Sequence, residues 1–88
     1  MTAHGKMLGR VLRGTSDKNI EFEGLVALLK RLGFNEHIKG GHHIFTKDGV
    51  AEILNLQPRG HEAKPYQVKQ VRELILRYRL GDELEGKE

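Results

Sequence analysis

The sequence FNEHIKGGHHIFTKDGVAEILNL, residues 34–56, consists of three short segments separated by glycine-containing breaks. Gly40-Gly41 forms the first break and Lys47-Asp48-Gly49 the second, and Asp-Gly is among the strongest hairpin signals. The stretch therefore predicts an antiparallel three-stranded sheet in which consecutive strands are neighbours. The predicted strands cover residues 34–39, 42–46 and 52–56.

Amphipathic helical patterns lie on both sides of this stretch in the sequence. Apolar residues recur at helical spacing over residues 22–32 and again over residues 65–80, where Pro65 suits the first turn of a helix. A shorter pattern covers residues 6–13. This order predicts an α+β fold of αβββα type with its helices on one face of the sheet, plus an extra N-terminal helix.

The length of 88 residues is that of one domain with one modest core. We expect this domain to cover residues 1–80, in which the helix at residues 6–13 extends a core formed by residues 20–80. Residues 81–88 are rich in acidic residues and are predicted to be a disordered tail.

The composition excludes several classes of protein. The chain has no cysteine, so it has neither disulfides nor a cysteine-ligated zinc site, and this fits a reducing compartment. No apolar run approaches the roughly 20 residues that span a bilayer. Arg10 and Arg13 interrupt the apolar stretch near the N-terminus, which is therefore not of signal-peptide type. We expect a cytoplasmic protein with no membrane partner.

The positive charge of the chain is concentrated before the acidic tail. Residues 1–80 contain 14 Lys and Arg against 8 Asp and Glu, a balance of +6. Residues 81–88 contain one Lys against four acids, a balance of −3. A basic surface favours polyanionic partners such as RNA, although a solvated face explains the same charge equally well.

Two adjacent histidines, His42 and His43, begin the second predicted strand. Successive strand residues point to opposite faces, so the two imidazoles cannot act side by side. We expect one to be buried or half-buried beneath the helices and the other to face solvent. A metal site would need His37, His61 or an acidic residue to converge with one of them, and the spacing matches no known zinc pattern. We therefore predict no metal and no cofactor, which leaves a catalytic or a purely structural role.

A histidine next to basic residues is suited to RNA cleavage without a metal. Histidine titrates near neutral pH, so it can remove the proton of a ribose 2′-hydroxyl, which then attacks the adjacent phosphate. The candidate cations that stabilise the resulting charge are Lys39, Lys47 and Arg59. The Gly40-Gly41 pair lets an RNA backbone approach closely.

A series of short motifs follows the same order along the chain. LLKRLGF at residues 28–34 leads into KGGHHIF at residues 39–45, and Asp48-Gly49, Pro58 and Lys64-Pro65 complete the series. In this order and spacing the sequence resembles the HicA family of toxin–antitoxin ribonucleases. The hallmark of that family is Gly-Ser-His or Gly-Ser-His-His at the start of the second strand, and the resemblance covers roughly residues 22–80.

The resemblance implies a fold like that of double-stranded-RNA-binding domains and a metal-independent toxin that cleaves mRNA. It also implies neutralisation by a HicB-type antitoxin. The family's catalytic histidine matches His42 or His43, and we favour His42 because it directly follows the two glycines. Gly40 matches the motif glycine, whereas Gly41 replaces the usual serine and so removes a hydroxyl that could bind phosphate.

Other hypotheses stay open at this point. A non-catalytic RNA-binding module of the same fold shares almost every sequence feature, and a protein whose role is to bind another protein would need neither histidine. The N-terminal helix could cover an open side of the sheet, mediate homo-oligomerisation or bind RNA.

Overall fold

The computed structural model describes residues 3–82 of the chain. The predicted acidic tail lies outside the described residues from residue 83 onward. The α+β class and the αβββα order with an added N-terminal helix are confirmed. The elements are α1 (Ala3–Arg13), a short 3-10 helix (Asp17–Asn19), α2 (Phe22–Arg31), β1 (Asn35–Lys39), β2 (His42–Lys47), β3 (Val50–Leu56), β4 (Pro58–Arg59), β5 (Glu62–Ala63) and α3 (Pro65–Tyr78).

The three long strands form one antiparallel sheet in the order β1-β2-β3. Phe45 of β2 pairs with Leu54 of β3, and both side chains are buried on the face that the helices cover. The alternate residues point to the opposite side, which we call the open face. The open face carries Asn35, His37 and Lys39 of β1, His42, Ile44 and Thr46 of β2, and Ile53 and Asn55 of β3.

The hydrophobic core lies between the covered face of the sheet and the helices. α1 contributes Met7, Leu8 and Val11 to this core and packs against α2 and α3. The N-terminal helix therefore does not cover the open side of the sheet, which was one of its three possible roles. No helix among the described residues is long and apolar enough to cross a bilayer.

Arg72 of α3 departs from the simple helical pattern, which predicts that it faces solvent. Its guanidinium is half-buried and donates to the carbonyl of Val11 at 3.1 Å and to Asp17 Oδ1 at 3.0 Å. Asp17 does not cap α2, because the N-cap residue is Glu21, which makes no side-chain capping hydrogen bond. Asp17 instead links the segment before α2 to α3.

The hairpin of β4 and β5 was not predicted, because the predicted strands and helices leave residues 57–64 unassigned. Its strands pair over two residues each, and the N–H of Ala63 donates to the carbonyl of Ile20 at 2.8 Å. Strands this short carry no periodic signal. A further reason is Pro58, because proline cannot extend a central strand, yet here it begins β4.

Candidate active site

The turn between β1 and β2 brings Lys39 and His42 directly opposite each other. Gly40 has a φ of +63° and so occupies a conformation that favours glycine, whereas Gly41 is not in the left-handed region. A Cβ built on Gly41 would come no closer than 3.7 Å to another residue, at Gln57 Nε2. The turn therefore requires glycine at the first position only, and the second has room for the serine that is usual in the motif.

His42 lies exposed on the open face and is held by Asn55. Its Nδ1 is 3.0 Å from Asn55 Oδ1. An amide oxygen can only accept, so Nδ1 carries the hydrogen and donates it. The neutral imidazole then has its lone pair on Nε2, which is the nitrogen left to act as a base.

His43 points the other way, under the helices. Its Nδ1 donates to Glu36 Oε2 at 2.8 Å, and its ring packs edge-on against Phe22 with 4.9 Å between the ring centroids. Lys30 of α2 contacts the other oxygen of Glu36 at 2.9 Å. The hydrogen bond from His43, followed by that from Lys30, lowers the pKa of the Glu36 carboxyl. The His43 side chain is only 20% exposed, so the prediction that the two histidines occupy opposite faces, one of them half-buried, is confirmed.

The cleft at His43 carries negative charge. Its walls include Glu21 and Glu23 together with Phe22, Pro58 and His61. The carboxylates in these walls repel an incoming phosphate and so disfavour its approach. The surroundings of His42 carry the opposite charge, because Lys39 is its partner across the strand pair.

The three predicted cations lie in different places. Lys39 is beside His42, but Lys47 is at the other end of β2 and its ammonium lies next to Gly33. Five residues of strand separate Lys47 from His42, or about 16 Å at the usual rise. Arg59 lines a separate cleft with Lys18. The structure therefore brings one of the three predicted cations, Lys39, to His42.

α3 fixes the strand that carries Asn55 at both of its ends. Near the start of β3, the Tyr78 hydroxyl donates to Glu52 Oε1 at 2.6 Å, and Arg77 forms an ion pair with the same carboxylate. The Tyr78 hydrogen bond is the main cause that lowers the pKa of Glu52, and Arg77 adds to it.

The other end of β3 is held by a buried amide. Gln67 of α3, which is 1% exposed, donates to the carbonyl of Gln57 and accepts from its N–H, both at 3.0 Å. Because both ends of β3 are held, the position of Asn55 under His42 follows from the packing of α3.

Sequence reasoning did not single out Asn55 as part of this site. The signal was present, because Leu54 and Leu56 are core residues and strand alternation places Asn55 on the opposite face. Pairing Asn55 with Ile44, two residues from His42, requires the register of β2 and β3 as well. Among the described residues, no group of three or more His, Cys, Asp or Glu side chains could hold a metal ion.

These features define a small α+β protein with an exposed, oriented histidine on an open sheet face beside a glycine turn. Residues 23–77 match the family described as the HicA toxin of bacterial toxin–antitoxin systems. The match covers more than half of the 88 residues, and the chain belongs to this family. Membership implies a toxin with a cognate antitoxin as its partner. No curated protein and no solved structure matches the chain.

Proposed function

We propose that this toxin of a type II toxin–antitoxin system is an endoribonuclease that cleaves mRNA without a metal, with His42 as the general base. The observation that carries the proposal is the hydrogen bond from His42 Nδ1 to Asn55 Oδ1. In the neutral ring this bond places the lone pair on Nε2, on an exposed face where a ribose can reach it.

The reaction starts when His42 Nε2 takes the proton of a ribose 2′-hydroxyl. The 2′-oxygen then attacks the adjacent phosphorus, and the bond from phosphorus to the 5′-oxygen of the next nucleotide breaks. The 5′-oxygen takes up a proton as it leaves, so the products are a 2′,3′-cyclic phosphate and a free 5′-hydroxyl, and His42 holds the proton of the 2′-hydroxyl. Lys39, directly across from His42, stabilises the negative charge on the non-bridging oxygens.

His42 is a better candidate than His43 because of what surrounds each ring. His43 is half-buried, is paired with Glu36 and opens onto a cleft with two further carboxylates. A phosphodiester would enter that cleft against repulsion. We therefore assign His43 a supporting role, in which it fixes the start of β2 against α2.

RNA contacts follow from the same geometry. Gly40 and Gly41 present bare backbone next to His42, and Lys39 binds the phosphate at the cleaved bond. Lys47 is too far away for that role and Arg59 lines a separate cleft, so we propose that both contact phosphates elsewhere along the RNA. We further propose that the fold is used like that of a double-stranded-RNA-binding domain, in the cytoplasm, and that the cognate antitoxin is of HicB type.

The test compares His42→Ala, His43→Ala and the control His61→Ala, each purified and incubated with mRNA in the presence of EDTA. General-base catalysis contributes roughly 10²–10⁴-fold, so we expect His42→Ala to lose at least about a hundredfold in rate. The exposed His61 lies off the open face, and its removal should leave the rate unchanged.

RNA binding by the same variants separates cleavage from recognition. We expect His42→Ala to bind RNA without cutting it. Wild type that binds RNA but never cuts it would establish the non-catalytic binding module instead. Cleavage that survives His42→Ala and disappears with His43→Ala would transfer the role of base to His43.

A further inference from the structure

A second exposed histidine, His37, lies on the same open face as His42. His37 of β1 pairs with Ile44 of β2, and two residues further along the same strands Lys39 pairs with His42. His37 and His42 are therefore diagonal neighbours on adjacent strands, about 7–8 Å apart. The described part of the chain contains no side-chain hydrogen bond or ion pair to His37. Its ring is free to contact a ligand bound over His42.

Lys39 completes a triangle with the two histidines. It lies two residues from His37 on β1, about 7 Å along the strand, and directly across from His42. A phosphate group bound to the Lys39 ammonium would therefore have both imidazoles as neighbours, one along β1 and one across on β2. Within residues 3–82, this arrangement follows from the strand register alone and involves no helix.

Resting on the proposed ribonuclease activity, we propose that His37 is a second catalytic residue, the general acid that protonates the leaving 5′-oxygen. His42 Nε2 accepts the 2′-hydroxyl proton while the 2′-oxygen forms its bond to phosphorus. The bond from phosphorus to the 5′-oxygen breaks, and the imidazolium of His37 gives its proton to that oxygen. His37 ends neutral and His42 ends protonated, so charge and protons balance, and exchange with water resets both.

Neither His43 nor Lys39, the other nearby side chains that could donate a proton, suits the role of general acid as well as His37 does. His43 is on the covered face, behind the sheet, and is paired with Glu36. Lysine ordinarily keeps its proton up to about pH 10, so Lys39 serves better as a fixed charge on the phosphate. Histidine can carry a proton and release it near neutral pH, which a general acid must do.

The test uses a leaving group that needs no acid. An oligoribonucleotide is made with sulfur in place of the 5′-bridging oxygen at the linkage that the wild type cuts in the all-oxygen oligonucleotide. A thiolate leaves without protonation far more readily than an alkoxide, because thiols are much stronger acids than alcohols. Rates are measured on both substrates for wild type, His37→Ala, His37→Gln, His42→Ala and the control His61→Ala, with thermal melting to confirm folding.

We expect both His37 variants to lose at least about a hundredfold in rate on the oxygen substrate, the usual size of general-acid catalysis. On the sulfur substrate they should cleave at close to the wild-type rate, whereas His42→Ala stays slow on both. His61→Ala should match wild type on both substrates.

The outcomes separate this inference from the proposed function. His37 variants that cut the oxygen substrate at the wild-type rate, or that lose equally on both substrates, would overturn the general-acid role while leaving His42 as the base. A wild type that cuts neither substrate, or a His42→Ala variant as fast as wild type on both, would instead overturn the proposed function itself.

Discussion

Asn55 is the residue that orients His42, the proposed general base. Asn55→Ala removes the acceptor of the His42 Nδ1 hydrogen, so the ring can rotate and either nitrogen can carry the proton. We expect the kcat for RNA cleavage to fall by about tenfold to a hundredfold, as when partners that orient metal-binding histidines are lost. The melting temperature should stay close to that of wild type, because Asn55 is exposed.

Two further variants test whether the orientation of the His42 ring explains the expected loss of rate in Asn55→Ala. Asn55→Asp offers Nδ1–H another acceptor and should restore most of the rate. Asn35→Ala removes an exposed amide from the same face at a distance from His42 and should have no effect. If Asn55→Ala cleaved RNA as fast as wild type, the hydrogen bond would have no part in catalysis.

Glu36 of β1 links three secondary-structure elements, because its side chain contacts residues of α2 and β2. Its carboxylate binds Lys30 and His43, and these hydrogen bonds lower its pKa below the ordinary value of 4.5. A carboxyl group with a lowered folded-state pKa stabilises the fold above its unfolded-state pKa, and this contribution is lost as pH falls through the folded-state value. Glu36→Gln should therefore reduce the free energy of unfolding by about 1 kcal/mol at pH 7, the order expected for the net contribution of a hydrogen bond.

Urea denaturation of wild type and Glu36→Gln over a series from pH 7 to pH 3 measures this difference. The gap between the two proteins should narrow as the pH drops below 4.5. Glu73→Gln, at an exposed position on α3, serves as the control and should show no such gap. A gap that stays constant with pH would mean that the Glu36 charge does not stabilise the fold.

The sequence was sufficient to predict the elements with a regular period. The apolar stripes of α2 and α3 and the two glycine-containing breaks give the helices and the three long strands to within a few residues. The half-buried position of Arg72 and the buried position of Gln67 could not be predicted in this way. Each is a polar residue on a helix, and its burial depends on a partner far along the chain, Asp17 for one and the backbone of Gln57 for the other.

The candidate site was likewise predictable where it depends on neighbouring residues in the sequence, and not where it depends on contacts between distant parts of the chain. Strand alternation alone placed His42 and His43 on opposite faces. Which of them faces solvent depends on the face that the helices cover, and that is decided by packing over the whole chain. The partners of the two rings, Asn55 and Glu36, come from the neighbouring strands and require the strand register.

α1 contributes to the hydrophobic core of the whole molecule, although the family match begins only at residue 23. Leu8 and Val11 are 1% and 0% exposed. Leu8 also lies close to Gly81 beyond the end of α3, where an added Cβ would come within 3.1 Å of its side chain. α1 therefore joins the start and the end of the described chain, on the side of the molecule away from the open face.

This placement predicts that α1 acts on stability and leaves the chemistry of the open face unchanged. Leu8→Ala should lower the free energy of unfolding by about 2–5 kcal/mol, the usual cost of such a truncation in a core. A small domain has only about 5–15 kcal/mol in total, so urea denaturation should detect the loss easily. The exposed Lys6→Ala is the matched control on the same helix. Below the melting transition, RNA cleavage per folded molecule should equal that of wild type, because α1 packs against α2 and α3. A loss of cleavage in the folded protein would instead place α1 in RNA binding.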